Sequence, residues 1–290
     1  MDRFCTIADL EGGFPRPLLR HASVVARIDS FLEDLNVEKA RPIPIQFTLN
    51  DYRESTTFHP STIGSLSGKS LCGRYPMGCG RKMFYEYTGA ESRDHIEPRV
   101  RRIFDLGSSI HAQLQAYLDC IAELSEGTET FVPEARISPN KIAIADEFDV
   151  SGSCDGIYTI AIPDLAMRFG LEFKSINDAG YQKTASAHPE HVMQGTVYQK
   201  CLDLPFMVFV YYNKNDCSMS EFVQVFDEHR WNAITEKLSL VRELAMRDQL
   251  PDREDGWHCS MCKYKIACKP PKKTRVAASN LFKKSRRADG

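Results

Sequence analysis

The chain has 290 residues, of which 42% are hydrophobic and 26% charged, and its formal net charge is −2. That length buries a sizeable core, as one large domain with decorations or one domain with a small lobe, and the composition is ordinary for a soluble globular protein. No run of about 18 apolar residues occurs, which excludes a membrane-spanning helix, and Met1-Asp2-Arg3-Phe4-Cys5 lacks a signal-peptide pattern.

The ten cysteines are more than a cytosolic enzyme usually needs and are not spaced like a secreted disulfide framework; three of them crowd into ten residues near the end, which points toward metal or cluster chemistry. Charge is unevenly placed. From Lys269 to Gly290 there are eight Lys/Arg and one Asp, a net of +7, which leaves −9 on the rest. A basic tail on an acidic body suits a nucleic-acid partner, or it is a disordered solubilising extension.

In chain order, Ala22 to Leu35 has helical spacing in Val24, Val25, Ile28, Phe31, Leu32 and Leu35, and Pro42 and Pro44 break it. Residues 1–58 are taken as a peripheral N-terminal segment. Residues 60–90 are Gly-rich and carry Cys72 and Cys79, with a short helix expected toward Tyr87. The stretch Gly64 to Ser70 is one residue short of a phosphate-binding Gly-x₄-Gly-Lys-Ser loop and lacks a preceding strand, so it is read as chance.

A long helix is expected over 97–124. Val100, Ile103, Phe104, Gly107, Ile110, His111, Leu114, Tyr117, Leu118, Ile121 and Leu124 form one face at helical period. The period then shifts toward two, and 131–138, 141–145, 148–162 and 169–176 read as strands, with a turn at Pro163-Asp164. A helix opens near His188 with Pro189 at its first position. Strands follow over 206–213 and 221–226, then an amphipathic helix over 228–247.

Asp155 follows Gly152 at the start of one strand, and Glu172 and Lys174 stand two apart on the next, so their side chains share a face. Two carboxylates there can hold Mg²⁺ or Mn²⁺, with a substrate phosphate completing the shell. A lysine beside them can orient or deprotonate a water and offset phosphate charge. The bland reading is a solvated strand face; the apolar neighbours Phe169, Leu171 and Phe173 argue for a buried strand instead. His111 is either a satisfied core histidine or a ligand, and Gly107 one turn earlier allows close approach. Glu134 can add an acid at the same end of the sheet or stand as an edge charge. Gln194 and Tyr198, four apart on a helix, share a face. Cys259-x₂-Cys262-x₅-Cys268 supplies three thiolates from a short loop, and a fourth soft ligand, from upstream or from a histidine such as His258, would close a zinc site or an iron–sulfur cluster.

Together these residues resemble the RecB-like branch of the PD-(D/E)XK nucleases, in particular its iron–sulfur members among the CRISPR-adaptation nucleases and AddB-type subunits. The likeness rests on Gly107 with His111, Gly152 with Asp155, Glu172 with Lys174, and Gln194 with Tyr198. Cysteines flank both ends of this series, and Cys79-Gly80-Arg81-Lys82 looks like the family's upstream Cys-Pro-Arg-Lys, with Gly80 replacing the proline.

The resemblance implies an α/β, restriction-endonuclease-like core: a mixed central sheet flanked by helices in αβββαβ order, over residues 59–268. A helical lobe from 72–90 and 255–268 would be pinned by a [4Fe-4S] cluster, with a basic tail at 269–290. The implied activity is a Mg²⁺- or Mn²⁺-dependent DNA exonuclease preferring single strands or ends, in the cytoplasm of a bacterial or phage-infected cell, serving repair, recombination, CRISPR adaptation or phage DNA metabolism. His111, Asp155, Glu172 and, as an option, Glu134 would bind the metal, and Lys174 would position the water. Gln194, Tyr198 and Arg81 would support the site and the DNA. Cys79 or Cys72, with Cys259, Cys262 and Cys268, would hold the cluster, zinc being the alternative. A homo-oligomer is left open. A non-catalytic DNA-binding scaffold of the same fold and a structure-specific endonuclease are the rival readings.

Overall fold

The computed structural model describes residues 23–34, 56–64, 77–92, 97–162 and 165–269. Cys72, most of the Gly64–Ser70 stretch, the Pro163-Asp164 turn and all of the basic tail after Lys269 lie outside the described residues.

Helices α1 (Val24–Asp34), α2 (Pro60–Gly64), α3 (Gly80–Tyr87) and α4 (Pro98–Leu124) precede the first strand, β1 (Glu129–Ile137). A short helix α5 (Ala143–Glu147) leads to β2 (Gly152–Ile162) and β3 (Leu165–Ile176); α6 (Asp178–Tyr181) and α7 (Pro189–Leu202) then cross to β4 (Phe206–Asn213), β5 (Met219–Val225) and α8 (Glu228–Met246). A 3₁₀ turn (Trp257–Ser260) and α9 (Lys265–Cys268) end the described chain.

The strands form one mixed sheet in the order β1-β2-β3-β4-β5. β1–β2, β2–β3 and β4–β5 pair antiparallel, and β3–β4 pair parallel. The parallel step needs a crossover, and the α6–α7 connection supplies it. Each face of the sheet has its own core. On one, Met167, Phe169, Leu171 and Phe173 of β3 meet Ile110, Leu114 and Leu118 of α4 and Val24 and Ile28 of α1. On the other, Met207, Phe209 and Tyr211 of β4 meet Met193 and Val197 of α7 and Trp231, Ile234 and Leu238 of α8. With both faces covered, β3 and β4 read as nearly continuous apolar runs.

Two expectations change. The 141–145 stretch is not a strand; α5 covers 143–147 and buries only Ala145, and an alternation of four or five residues cannot by itself separate the two states. The long apolar face of α4 is not buried along its length. Ile110, Leu114 and Leu118, in the middle of the helix, are buried, whereas Ile103 and Phe104 in its first turns and Leu124 at its last residue are exposed. α1 lies within the segment expected to be peripheral, yet it buries Val24 and Ile28 completely, and the backbone N–H groups of Val24 and Val25 donate to Glu221 of β5 at 2.8 and 3.0 Å.

The α2–α7 crossing depends on a missing side chain. A Cβ on Gly64 would lie 2.1 Å from the Glu190 carbonyl oxygen, and backbone gives way less readily than a side chain. Gly64→Ala is expected to lower stability by about 1–3 kcal/mol, seen as a reduced denaturant midpoint at constant m-value.

Candidate active site and cysteine cavity

The β2–β3 register carries Gly156 opposite Leu171, so the next step along the two strands brings Asp155 beside Glu172. One Asp155 oxygen lies 3.0 Å from His111 Nδ1, and the other accepts from the Phe173 backbone N–H at 2.5 Å. Lys174 Nζ donates to Glu172 Oε1 at 2.7 Å and to Gln194 Oε1 at 3.1 Å, while Gln194 Nε2 donates to the same Glu172 oxygen at 2.8 Å. Tyr198 receives a 3.3 Å contact from Gln194 and donates to the Ser153 carbonyl at 2.6 Å. These bonds make two neighbouring sets, His111 with Asp155 and Lys174, Glu172 and Gln194 with Tyr198, drawn from α4, β2, β3 and α7 and set side by side by the strand register. Gly107 explains how α4 comes so near: a Cβ there would already lie 3.3 Å from Ser175 Oγ.

Gln194 and Tyr198 are buried. They hold strands and side chains together rather than presenting a surface. Glu134 Oε2 accepts from Ser153 Oγ at 2.9 Å, and its Oε1 accepts from Gln115 at 3.0 Å. The Glu134 backbone has φ 50° within β1, in the left-handed region a non-glycine residue enters at a cost. Its neighbours Pro133 and Ala135 pair normally with Gly156 and Cys154. The strained residue therefore sits opposite Asp155, whose carbonyl turns to Gln115 Nε2 at 2.8 Å. Gln115 was absent from the expected set, although its place one turn after His111 on the same helix face marks it.

The two sets are electrostatically coupled. Burial alone would lower the His111 pKa, but the Asp155 charge and hydrogen bond outweigh it and leave the imidazole above its ordinary value. Burial likewise opposes Asp155 ionisation, yet His111 and Lys174 hold its carboxyl below the usual range. Burial pushes Glu172 up to about 7, with Lys174 opposing and Asp155 adding to the rise. For Lys174 the charges of Glu172 and Asp155 more than reverse the effect of burial, so the ammonium is favoured. Burial, together with the Lys174 and His188 charges, pushes His191 down to about 2; its Nδ1 lies 2.7 Å from the Tyr211 hydroxyl.

Two observations bear on a divalent ion. Glu172 Oε2 is buried without a hydrogen-bond partner, as suits a carboxylate oxygen meant for a cation. As arranged here, no three His, Cys, Asp or Glu among the described residues enclose a single ion site. The donor types fit Mg²⁺ or Mn²⁺; loading would exchange the His111–Asp155 contact for metal bonds.

The second feature is a cavity of about 220 Å³ lined by Cys79, Cys259, Cys262 and Cys268 with Arg81, Lys82, Tyr85, His258 and Lys269. Cys79 is the N-cap residue of α3, and the other three come from the final turns. All four are free thiols. Burial raises the pKa of Cys79 and Cys262. Arg81 donates to the Pro251 carbonyl at 2.7 Å and lies 3.8 Å from Cys268 Sγ, which places it at this cavity and away from the carboxylates. Underneath, Glu254 Oε1 accepts from the Gly80 N–H at 2.8 Å and from Lys237 Nζ at 3.3 Å. Lys237 and Glu254 are both buried.

No protein-family model and no curated protein sequence matches the chain. Among solved structures it is similar to an alkaline exonuclease from Laribacter hongkongensis, at 14% identity and a TM-score of 0.43 over 67% of this chain and 90% of that one. The same exonuclease in complex with dAMP gives 15% identity and a TM-score of 0.44 over the same shares. The crystal structure of SSO0001 is similar at 13% identity and a TM-score of 0.43, over 86% of this chain and 95% of that one.

Because Lys237 is the buried counter-charge of Glu254, Lys237→Ala should destabilise the fold by about 3–5 kcal/mol, measured by chemical denaturation. Lys237→Arg should recover part of the loss.

Proposed function

We propose that the chain is a Mg²⁺- or Mn²⁺-dependent deoxyribonuclease of the RecB-like PD-(D/E)XK type, acting as an exonuclease on single strands or DNA ends. The observation that carries this reading is the bonded pair of Glu172 and Lys174 beside Asp155 on the paired strand, with His111 bonded to Asp155 and a Glu172 oxygen left without a partner.

Asp155, Glu172 and His111 would hold the ion; Glu134, already bonded to Gln115 and Ser153, would serve only as a further oxygen nearby. When bound, the ion supplies a water of lowered pKa and polarises the phosphate. Lys174 Nζ, kept cationic by the carboxylates, orients that water and offsets charge on the phosphate as it builds up. Gln194 fixes both Lys174 and Glu172, and Tyr198 ties Gln194 to the β2 backbone, so the lysine has no freedom to leave its place. His111 orients the Asp155 carboxylate from the helix side.

The cysteine cavity is read as a structural [4Fe-4S] site with Cys79, Cys259, Cys262 and Cys268 as ligands. The support is that four thiols from both ends of the nuclease region line one cavity. Zinc is the alternative occupant of the same thiols. The thiols would hold the group between α3 and the final turns, away from the carboxylates.

End-labelled single- and double-stranded DNA with Mg²⁺ or Mn²⁺ tests the enzyme reading. Wild-type protein should digest it, and Lys174→Ala or Asp155→Asn should reduce the rate by about a hundredfold or more; wild-type protein, purified anaerobically, that leaves DNA intact refutes it. A circular single-stranded substrate should resist digestion, since cutting it would indicate an endonuclease. For the cysteine site, anaerobically purified protein should show visible absorbance that Cys259→Ser removes; a colourless protein containing zinc would decide against the cluster.

A further inference from the structure

The first three turns of α4 contradict the expectation of a buried face. Phe104 is 55% exposed, although it stands on a 27-residue helix with an otherwise regular apolar stripe. It lies seven residues before His111. Two turns of helix return to almost the same face, so Phe104 points to the side from which His111 reaches Asp155, about 10 Å further along the axis. Val100, one turn earlier still, continues the stripe. Arg101 flanks Phe104, and its pairing with Asp105 at 2.9 Å is between two exposed side chains. Such a pair contributes little and exchanges readily for another anion. Over this stretch Arg99, Arg101 and Arg102 outnumber Glu97 and Asp105.

We infer that this overhang is a binding face for a single strand of nucleic acid, with Phe104 stacking on a base and Arg101 taking a neighbouring phosphate. The inference rests on the nuclease reading for its occupant. An exposed aromatic ring beside an arginine is the surface a flexible strand recognises without regard to sequence. A separation of about 10 Å corresponds to roughly three stacked base steps of 3.4 Å, so a strand with one phosphate at the carboxylates reaches the ring with a nearby base. Continuity with the candidate site favours nucleic acid over a protein partner, because the helix face that carries Phe104 carries His111, bonded to Asp155, two turns further on.

The test measures binding of a fluorescent oligothymidylate of about twelve nucleotides, within the span such sites cover, by anisotropy in EDTA so that nothing is cut. Phe104→Ala should weaken binding by about ten- to a hundredfold, and Phe104→Trp should keep it within about threefold of wild type. Arg101→Ala should reduce the slope of log affinity against log salt by about 0.7, the share of one phosphate on a single strand. Unchanged affinity of Phe104→Ala overturns the inference. So does a lowered melting temperature or an altered sedimentation of that variant, since either would mean that the ring is covered by this chain or by a second copy. The two readings fail separately. Wild-type protein that digests DNA while Phe104→Ala binds normally removes only the binding face. Phe104-dependent binding by wild-type protein that digests nothing removes the hydrolase and leaves the face standing.

Discussion

The Asp155 carboxylate is the constraint on which the site depends. It sits near the centre of the molecule, where an unpaired charge would be very costly, and the chain satisfies it from two directions. His111 approaches from α4 above the sheet, and the Phe173 N–H approaches from β3 within it. Each contact demands a piece of architecture: a close α4–β3 approach at Gly107, and a β2–β3 register that stops one residue short of Asp155. Shifting that register by one residue would turn Glu172 and Lys174 to the other face and leave Asp155 without its partner.

Around this point the polar side chains divide between holding and acting. Gln194 and Tyr198 spend their hydrogen bonds on Lys174, Glu172 and the Ser153 backbone. The lysine is therefore rigid, and its charge is maintained by neighbours rather than by water. Glu134 shows the cost on the opposite strand. Its left-handed backbone takes β1 out of the regular ladder beside Asp155, and Gln115 bridges the interruption.

The cysteine cavity is closed by separate means. Glu254 joins the start of α3, through the Gly80 N–H, to Lys237 of α8. The Gly80 hydrogen bond thus ties the segment before the core to the segment after it, beside the cavity that Cys79 lines with the three late cysteines.

How much of this was legible depends on the distance over which each feature is encoded. Glu172 with Lys174, Gln194 with Tyr198, and Cys259 with Cys262 are set by strand and helix periods, so short spacings in the sequence already place them on common faces. The long helix, the crossover helix and the βββαβ order follow from the same local patterns and the residues that interrupt them. The left-handed Glu134 and the Lys237–Glu254 pair were not legible, because each owes its conformation or its burial to residues distant in the chain. The exposed first turns of α4 show the limit most directly. A helical stripe records which residues share a face, but whether that face meets a sheet or solvent is decided by where the sheet ends. The sequence by itself determined the candidate chemistry and the elements that carry it; only the tertiary structure decided which groups touch, because contact between distant segments is a property of packing and not of period.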